Sequence, residues 1–392
     1  MGNDQSKQSG SSSTTANAPT QYARMDGDRL DESSVRPSNK VKTIYGGTLV
    51  KMAYSGIWSI KNPVGHGPKP RSGHFTAYSQ DQHTIFIGYG ITQNEQVQND
   101  VWALDTFSNS WKKLKLSGDR ISPRTGASAC MMGKYIVIFG GCSGSEYYSD
   151  LHTIDTETGY VQKANTHGEE PSPRSFPVIG IHNSHLYVWG GYDGYKNPKD
   201  LSIMEFASMS WRKKDTFVEG RSHAAYATNG SKIYGYGGSQ TGGLIIVDME
   251  KETVEIANVS GSAPSADALD AGMISTGKYL IYFGGKAQGD RWTLAYGMDI
   301  ERLWWFVFFI DPDGITTTTA DGRISNDGLL NLPQFYGFSV AYEPRNREIL
   351  ACLGYPQKNP APLFVVSVGD ALGVLSLRED MKRMFEKTSL SI

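Results

Sequence analysis

Apolar residues in this chain come in short unbroken runs. In YIVIFGGCSGSEYYSDLHTID, from Tyr135 to Asp155, an apolar run leads into Gly140-Gly141. A polar stretch and an Asp-Leu pair then open a second run. A strand with one wet face alternates apolar and polar residues, so this pattern predicts strands covered on both faces. The same phrase returns as TIFIGYG (84–90), LYVWGGY (186–192), IYGYGGS (233–239) and LIYFGGK (280–286), with a degraded sixth copy EILACLGY (348–355). The second glycines, Gly90, Gly141, Gly191, Gly238 and Gly285, are spaced by 51, 50, 47 and 47 residues. A fixed period of that length predicts a repeat architecture, in which adjacent repeats bury each other's sheets.

Each period divides into four strands. The first follows an arginine: Arg71-Ser72-Gly73-His74, Arg124-Thr125-Gly126-Ala127, Arg174-Ser175-Phe176-Pro177 and Arg221-Ser222-His223-Ala224. The second is the apolar run, and the third follows an Asp in NDVWALD (99–105), SDLHTID (149–155) and KDLSIME (199–205). The fourth carries an outer aromatic: Trp111, Tyr160, Trp211 or Trp305, with Val254 in that place in the fourth period. The acids that end the third strand (Asp105, Asp155, Glu205, Asp248) precede polar turns whose backbone they can bond. In the fifth period Ser265-Ala266-Asp267-Ala268 stands where the arginine is expected.

These features resemble the kelch repeat over about residues 43–370. The resemblance implies an all-β, six-bladed propeller of four-stranded blades. The sixth period lacks an aromatic outer strand, while YSGIWSIKN (54–62) has one to spare in Trp58. The N-terminal strand is therefore expected to close the last blade, leaving no open edge.

Three segments follow. Residues 1–42 are polar and of low complexity, and read as a disordered tail. Residues 43–370 are the propeller, and 371–392 a helical tail. In the last of these, Ser376 and Glu379 form a capping box and Leu377, Met381, Met384 and Phe385 share one face. The tail start, MGNDQSK, fits the N-myristoylation pattern at Gly2 with Ser6 in place. One acyl chain anchors only marginally, and the tail's basic and acidic residues nearly cancel, so stable membrane residence is expected to need a partner.

Composition narrows the function. The 392 residues carry net charge -2, no basic footprint for nucleic acid. Gly at 44 and Tyr at 21 suit strands joined by tight turns. The three cysteines, Cys130, Cys142 and Cys352, lack disulfide spacing and fit reduced thiols. The expected location is cytoplasmic, peripheral at membranes.

Some kelch propellers are enzymes. The copper oxidases of the family need a Tyr/His ligand set and a tyrosine-linked cysteine, and the cysteines here sit at repeat positions. The plant specifier proteins hold iron with Glu, Asp and His at four-residue intervals; Glu146 and Asp150 match, but Ile154 fills the third place. DPDG (311–314) lacks the glycine position and distal Glu of a calcium loop. No metal or cofactor is expected. A sugar mutarotase built on the same ring is the alternative.

The main expectation is a protein-binding scaffold. The resemblance places the loops before the first strand and after the glycine pair on one face. Arg71, Arg124, Arg174 and Arg221 would then surround a mouth, with His74 and His223 just inside. Tyr192, Asp193, Ser239, Gln240, Lys286 and Tyr355 would alternate with them. Exposed arginines beside tyrosines suit an extended, acidic peptide segment.

Overall fold

A computed structural model describes residues 55–240, 242–286, 295–312, 335–355 and 361–368. The tail at 1–42, the 376–387 helix and most of the 311–333 connection lie outside these residues.

Six antiparallel blades follow one another along the chain. Blade 1 is Phe75–Ser79, Thr84–Gly88, Val101–Asp105 and Ser110–Lys113. Blade 2 is Ser128–Met132, Tyr135–Phe139, Leu151–Asp155 and Tyr160–Lys163. Blade 3 is Ser175–His182, His185–Tyr192, Leu201–Glu205 and Ser210–Lys214. Blade 4 is Ala225–Asn229, Lys232–Tyr236, Leu244–Asp248 and Thr253–Ala257. Blade 5 is Gly272–Ser275, Tyr279–Phe283, Ala295–Asp299 and Trp304–Pro312. Blade 6 is Ser339–Glu343, Glu348–Cys352 and Leu363–Ser367, completed by Ser55–Lys61. Neighbouring blades approach one another around the axis, mostly through their first strands, with the first strand of blade 3 meeting the second of blade 4, and blade 6 meets blade 1.

The unbroken apolar runs now have a cause. In the second strand of blade 2, Ile136 and Ile138 pack toward blade 1 with Phe75 and Phe86. Their neighbours Val137 and Phe139 pack toward blade 3 with Ile179 and Val188. Alternate side chains enter different interfaces, and both interfaces are dry. Each of the six blade interfaces among the described residues has its own apolar cluster. The cluster joining blades 6 and 1 sets Leu350 and Val365 against Ile85 and Leu104.

The ends of the chain meet in blade 6. Ser55–Lys61 pairs antiparallel with Leu363–Ser367, Trp58 opposite Val366, and Trp58 is buried. The same strand also pairs in parallel with the far end of Trp304–Pro312, so blades 5 and 6 share one sheet. Nothing in the repeat pattern predicts that second pairing.

Linkers add a further parallel pairing. Ser117-Gly118 lies along the outer strand of blade 2, His167-Gly168 along that of blade 3 and Ser260-Gly261 along that of blade 5. Among the described residues blade 4 has no such strap, because its linker from Lys214 to Arg221 is too short. Its outer strand leaves Ile256 half exposed, and Phe217 in the linker is fully exposed. Of the outer aromatics, Trp211 and Trp305 are buried as expected, whereas Tyr160 is more than half exposed.

The turn acids act as the sequence suggests. Asp105 Oδ1 accepts from the N–H groups of Phe107 and Ser108, and Asp155 Oδ1 from those of Glu157 and Thr158. Asp248 accepts from the Lys251 N–H, while Glu205 reaches only the Ser208 hydroxyl.

Candidate functional site

The glycine pairs explain why one end of the ring is so regular. Each second glycine donates its N–H to the carbonyl of the residue opening the next blade. The bonds run Gly90 to Arg124, Gly141 to Arg174, Gly191 to Arg221, Gly238 to Ala268, Gly285 to Phe335 and Gly354 to Arg71, at 2.8–3.0 Å. All six glycines have φ between 80° and 100°, a region costly for residues with a Cβ. The belt also fixes the repeat alignment. Ala268, not Ser265, is the fifth counterpart of the arginines, and Phe335 is the sixth.

The four arginines do not line an open mouth, and that expectation is corrected. Arg71, Arg124, Arg174 and Arg221 are at most 2% exposed. Arg71 Nη1 bonds the Tyr89 carbonyl and Asp100. Arg124 bonds the Gly140 carbonyl and clasps Asp150 through both terminal nitrogens. Arg174 bonds the Gly190 carbonyl and Asp200. These acids are the ones that open the third strands. Burial works to raise the Asp100 and Asp200 carboxyls, but their arginine and side-chain bonds outweigh it and leave both below the ordinary carboxylate range. The arginines therefore lock the glycine turn to the third strand of their own blade. Arg221 differs: its partners are the carbonyls of Gly237, Gly242 and Gly243.

What surrounds the channel mouth is the position two residues further on. It holds Gly73, Gly126, Phe176, His223, Asp270 and Gly337, all with φ between 52° and 67°. Backbone bonds link them around the axis: Gly126 to Gly73, Phe176 to Gly126, Asp270 to His223 and Gly337 to Asp270, each N–H to carbonyl. Three blades meet this left-handed requirement with glycine. Three consecutive blades meet it with side chains, which costs conformational energy of order 1 kcal/mol each.

Those three side chains form one train. Phe176 stacks on the His223 imidazole with ring centres 3.7 Å apart. His223 Nδ1 lies 2.6 Å from Asp270 Oδ1. The Phe176 ring occupies the space that a Cβ on Gly126 would need, 2.6 Å from the ring edge. All three line a cavity of about 250 Å³ that runs into the channel past His74, Thr76, Tyr78, Tyr226 and Phe338. Inside it, His74 Nε2 is bonded to the Ser339 hydroxyl at 2.7 Å, and Ser339 in turn to Thr76. Burial, helped by the Arg71 guanidinium, pushes His74 down to about 3, so this imidazole is neutral at pH 7.

The remaining expected residues lie on loops of this end. Tyr192 packs edge-on to Tyr147 and donates to the Gly194 carbonyl. Asp193 closes its own turn by accepting from the Tyr195 and Lys196 N–H groups, and leaves Tyr195 almost fully exposed. Ser239 accepts from the Ser222 N–H; Ser239 and Gln240 are exposed. Lys286 Nζ sits 5.7 Å from the centre of the Tyr336 ring, which stacks on Tyr355. Gly2 lies outside the described residues. Phe176, Asp270 and Tyr336 are missed by reading the arginines alone. Their signal is the break in the Arg-x-Gly phrase after its second copy.

Among the described residues no group of three His, Cys, Asp or Glu could hold a metal ion. The three cysteines are free, and burial pushes Cys130 and Cys352 up to about 12, which leaves them unreactive thiols.

Comparison with known proteins agrees with this architecture. The KLHDC2/KLHL20/DRC7 Kelch-repeats domain matches residues 49–216. Kelch domain-containing protein 3 of Mus musculus is 36% identical over 74 residues, which is 19% of this chain and 19% of that protein. Host cell factor of Drosophila melanogaster is 32% identical over 93 residues, 23% of this chain and 6% of that protein. The tRNA wybutosine-synthesizing protein 2/3/4 of Oryza sativa subsp. japonica is 34% identical over 77 residues, covering 19% and 7%. The chain thus spans a fifth or less of the length of these relatives. The repeat phrase, the six blades and the matched domain thus agree on a kelch-type β-propeller architecture, with the family match covering residues 49–216.

Proposed function

We propose that this propeller is a non-enzymatic binding platform whose protein partner docks an extended segment on the channel mouth. A kelch propeller is consistent with a protein–protein interaction adaptor. The observation that carries the reading is the Phe176–His223–Asp270 train. Three adjacent blades hold side chains in a backbone region where their sister blades use glycine. Strain that persists at one place on a ring points to function there. Around the train, Tyr195, Gln240, Lys286 and Tyr355 offer an aromatic and polar rim, the composition that anchors partner segments. With all four arginines buried inside their blades, a preference for acidic segments rests on the exposed Lys286 rather than on a ring of four cations.

Weak, reversible membrane attachment through a myristoylated Gly2 belongs to the same proposal. It is motivated by the MGNDQS start and by a tail of nearly balanced charge. The partner would supply the second anchoring contact, giving a cytoplasmic protein peripheral at membranes.

The test is affinity capture with the full chain beside the triple change Phe176→Gly, His223→Gly and Asp270→Gly. Glycine suits the backbone at all three places, so the variant should fold while capture falls at least tenfold. Capture that survives this change, but fails when outer-strand Lys112 and Lys113 are altered, would place binding elsewhere.

One observation favours a second reading. His223 and Asp270 form an oriented imidazole–carboxylate pair beside a cavity of small-molecule size, as a sugar mutarotase would need. Faster anomer exchange of a sugar by the wild-type chain than by His223→Gly would favour it.

A further inference from the structure

The linker straps of blades 2, 3 and 5 share one design. Ser117-Gly118-Asp119, His167-Gly168-Glu169 and Ser260-Gly261-Ser262 each run parallel to an outer strand. The first residue donates its N–H to the carbonyl of Gly159, Met209 or Leu303. The glycine, at φ 83–90°, lets the two backbones close. A Cβ on it would lie 2.1–2.4 Å from the carbonyl oxygen of Val161, Trp211 or Trp305. The third residue donates its N–H to that same carbonyl. Where the third residue is an acid, its carboxylate also accepts an outer-strand N–H: Lys163 to Asp119 and Lys213 to Glu169. Ahead of the strap, Leu116 in blade 2 and Val259 in blade 5 pack onto the interface clusters.

Blade 4 carries the matching backbone groups without a strap. Strand register makes Val254 the counterpart of Val161, Trp211 and Trp305. The Glu252 and Val254 carbonyls and the Ile256 N–H therefore stand where the other blades bond their straps, and among the described residues no backbone group meets them. The edge is open: Val254 is only partly buried, Ile256 half exposed and Phe217 fully exposed, whereas Val161, Trp211 and Trp305 are buried. The linker is short by the length of a strap. Arg124 follows Lys113 by 11 residues and Arg174 follows Lys163 by 11, but Arg221 follows Lys213 by 8. An exposed row of unpaired backbone groups is a template for an added strand.

We propose that the chain's own N-terminal tail supplies the missing strap: Met25-Asp26-Gly27-Asp28 lies parallel to Thr253–Ala257, with Gly27 opposite Val254. The tail reads MDGDRL over 25–30 where the strap region of blade 2 reads LSGDRI over 116–121. Met25 takes the place of Leu116, Gly27 that of Gly118 and Asp28 that of Asp119. The Asp26 N–H then meets the Glu252 carbonyl, the Asp28 N–H meets the Val254 carbonyl, and the Asp28 carboxylate accepts from the Ile256 N–H. The tail's other phrase of this kind, Ser9-Gly10-Ser11, has Gln8 where blades 2 and 5 have Leu116 and Val259, and no acid after its glycine. Reach is ample. The chain enters the described structure at Ser55, paired with Phe309 of blade 5, the blade next to blade 4. The stretch from Asp28 to Ser55 extends to about 90 Å, and a globule of this size is about 50 Å across. The docking involves the outer rim and is independent of what binds at the channel mouth.

The test is hydrogen–deuterium exchange on the full chain without any partner. Gly27→Val puts a β-branched residue where the strap needs a left-handed backbone and close approach, and it lies outside the propeller, so the ring should fold as in wild type. Amides at 26–28 and at 254–256 should exchange at least tenfold faster in Gly27→Val than in wild type. Gly10→Val should leave both segments at the wild-type rate. Equal exchange in wild type and Gly27→Val overturns the proposal, as does acceleration by Gly10→Val instead. Protection at 254–256 that rises with protein concentration and survives Gly27→Val would mean that a second copy covers the edge, and would also overturn it.

Discussion

Gly354, in the last blade, donates its backbone N–H to the carbonyl of Arg71, in the first, at 2.9 Å. This is the same bond that joins the other five pairs of neighbouring blades. It forms although the sixth copy reads Leu353-Gly354 instead of Gly-Gly. Leu353 takes the left-handed conformation of the missing glycine at φ 63°, as Tyr89 does in blade 1 at 66°. The second glycine of each pair is the one that cannot be replaced. A Cβ on Gly354 would lie 2.6 Å from the Tyr336 carbonyl oxygen.

Closure has a second component in Trp58. The indole is 1% exposed and packs into the cluster shared by blades 5 and 6. Trp58→Ala should cost about 3–5 kcal/mol, the range for emptying a large buried aromatic site. Denaturant melts would show this directly. Deleting residues 43–62 should go further, exposing the edge of Leu363–Ser367 and producing aggregates in size-exclusion chromatography.

The buried arginines should behave as structure. Arg124→Ala removes the partner of Asp150 and leaves that carboxylate mostly buried beside the Gly140 carbonyl. A loss of about 3 kcal/mol is expected, in the range for breaking a buried pair. Arg71→Ala and Arg174→Ala should do the same. A melting temperature unchanged by Arg124→Ala would mean that the pair carries no stability.

Stability should fall on acidification from two groups in different windows. The His74 pKa is lower in the folded chain than the ordinary 6.5, reaching about 3. Between those values the unfolded chain binds a proton that the folded chain does not. The contribution is thus complete above pH 6.5 and declines toward pH 3, with a slope up to about 1.4 kcal/mol per pH unit. Glu343 adds a more acidic component. Burial works to raise its carboxyl, but bonds from Tyr78, the Arg345 N–H, His83 and Thr106 hold it below the ordinary value. Its contribution is present above the unfolded carboxylate pKa of about 4.3 and declines below it. His74→Gln should flatten the pH profile between 6.5 and 4 and leave the steeper acid limb in place. Urea titrations across that range read both.

Gly2 gives a chemical prediction. Protein made in a eukaryotic host should carry one myristoyl group by intact mass, and Gly2→Ala should abolish it together with any membrane-bound fraction. An acetylated or unmodified terminus from that host would end the membrane proposal.

The glycine spacing, the apolar runs and the spare Trp58 made the ring and its closure readable in the sequence. Burial of whole runs and completion of a sheet are properties of residue type and period. The role of the arginines was not readable from their own positions. A guanidinium at a repeated place can face a partner or its own blade, and the choice depends on an acid in another strand. The signal was nonetheless present in the aspartates of NDVWALD, SDLHTID and KDLSIME, and in its absence before Leu244. The mouth train was hidden differently. Phe176 and Asp270 gain their meaning from a backbone conformation and from neighbours about fifty residues away, neither of which composition or period encodes.

The central claim is that the partner covers the channel mouth. Hydrogen–deuterium exchange on the full chain, free and bound to its captured partner, tests it most directly. The account predicts added protection at 73–76, 192–197, 221–224, 239–243, 268–271 and 336–337, with little change along the outer strands at 110–113 and 160–163. Protection confined to those outer strands, or to the open edge at 253–257, with the mouth unchanged, would contradict it.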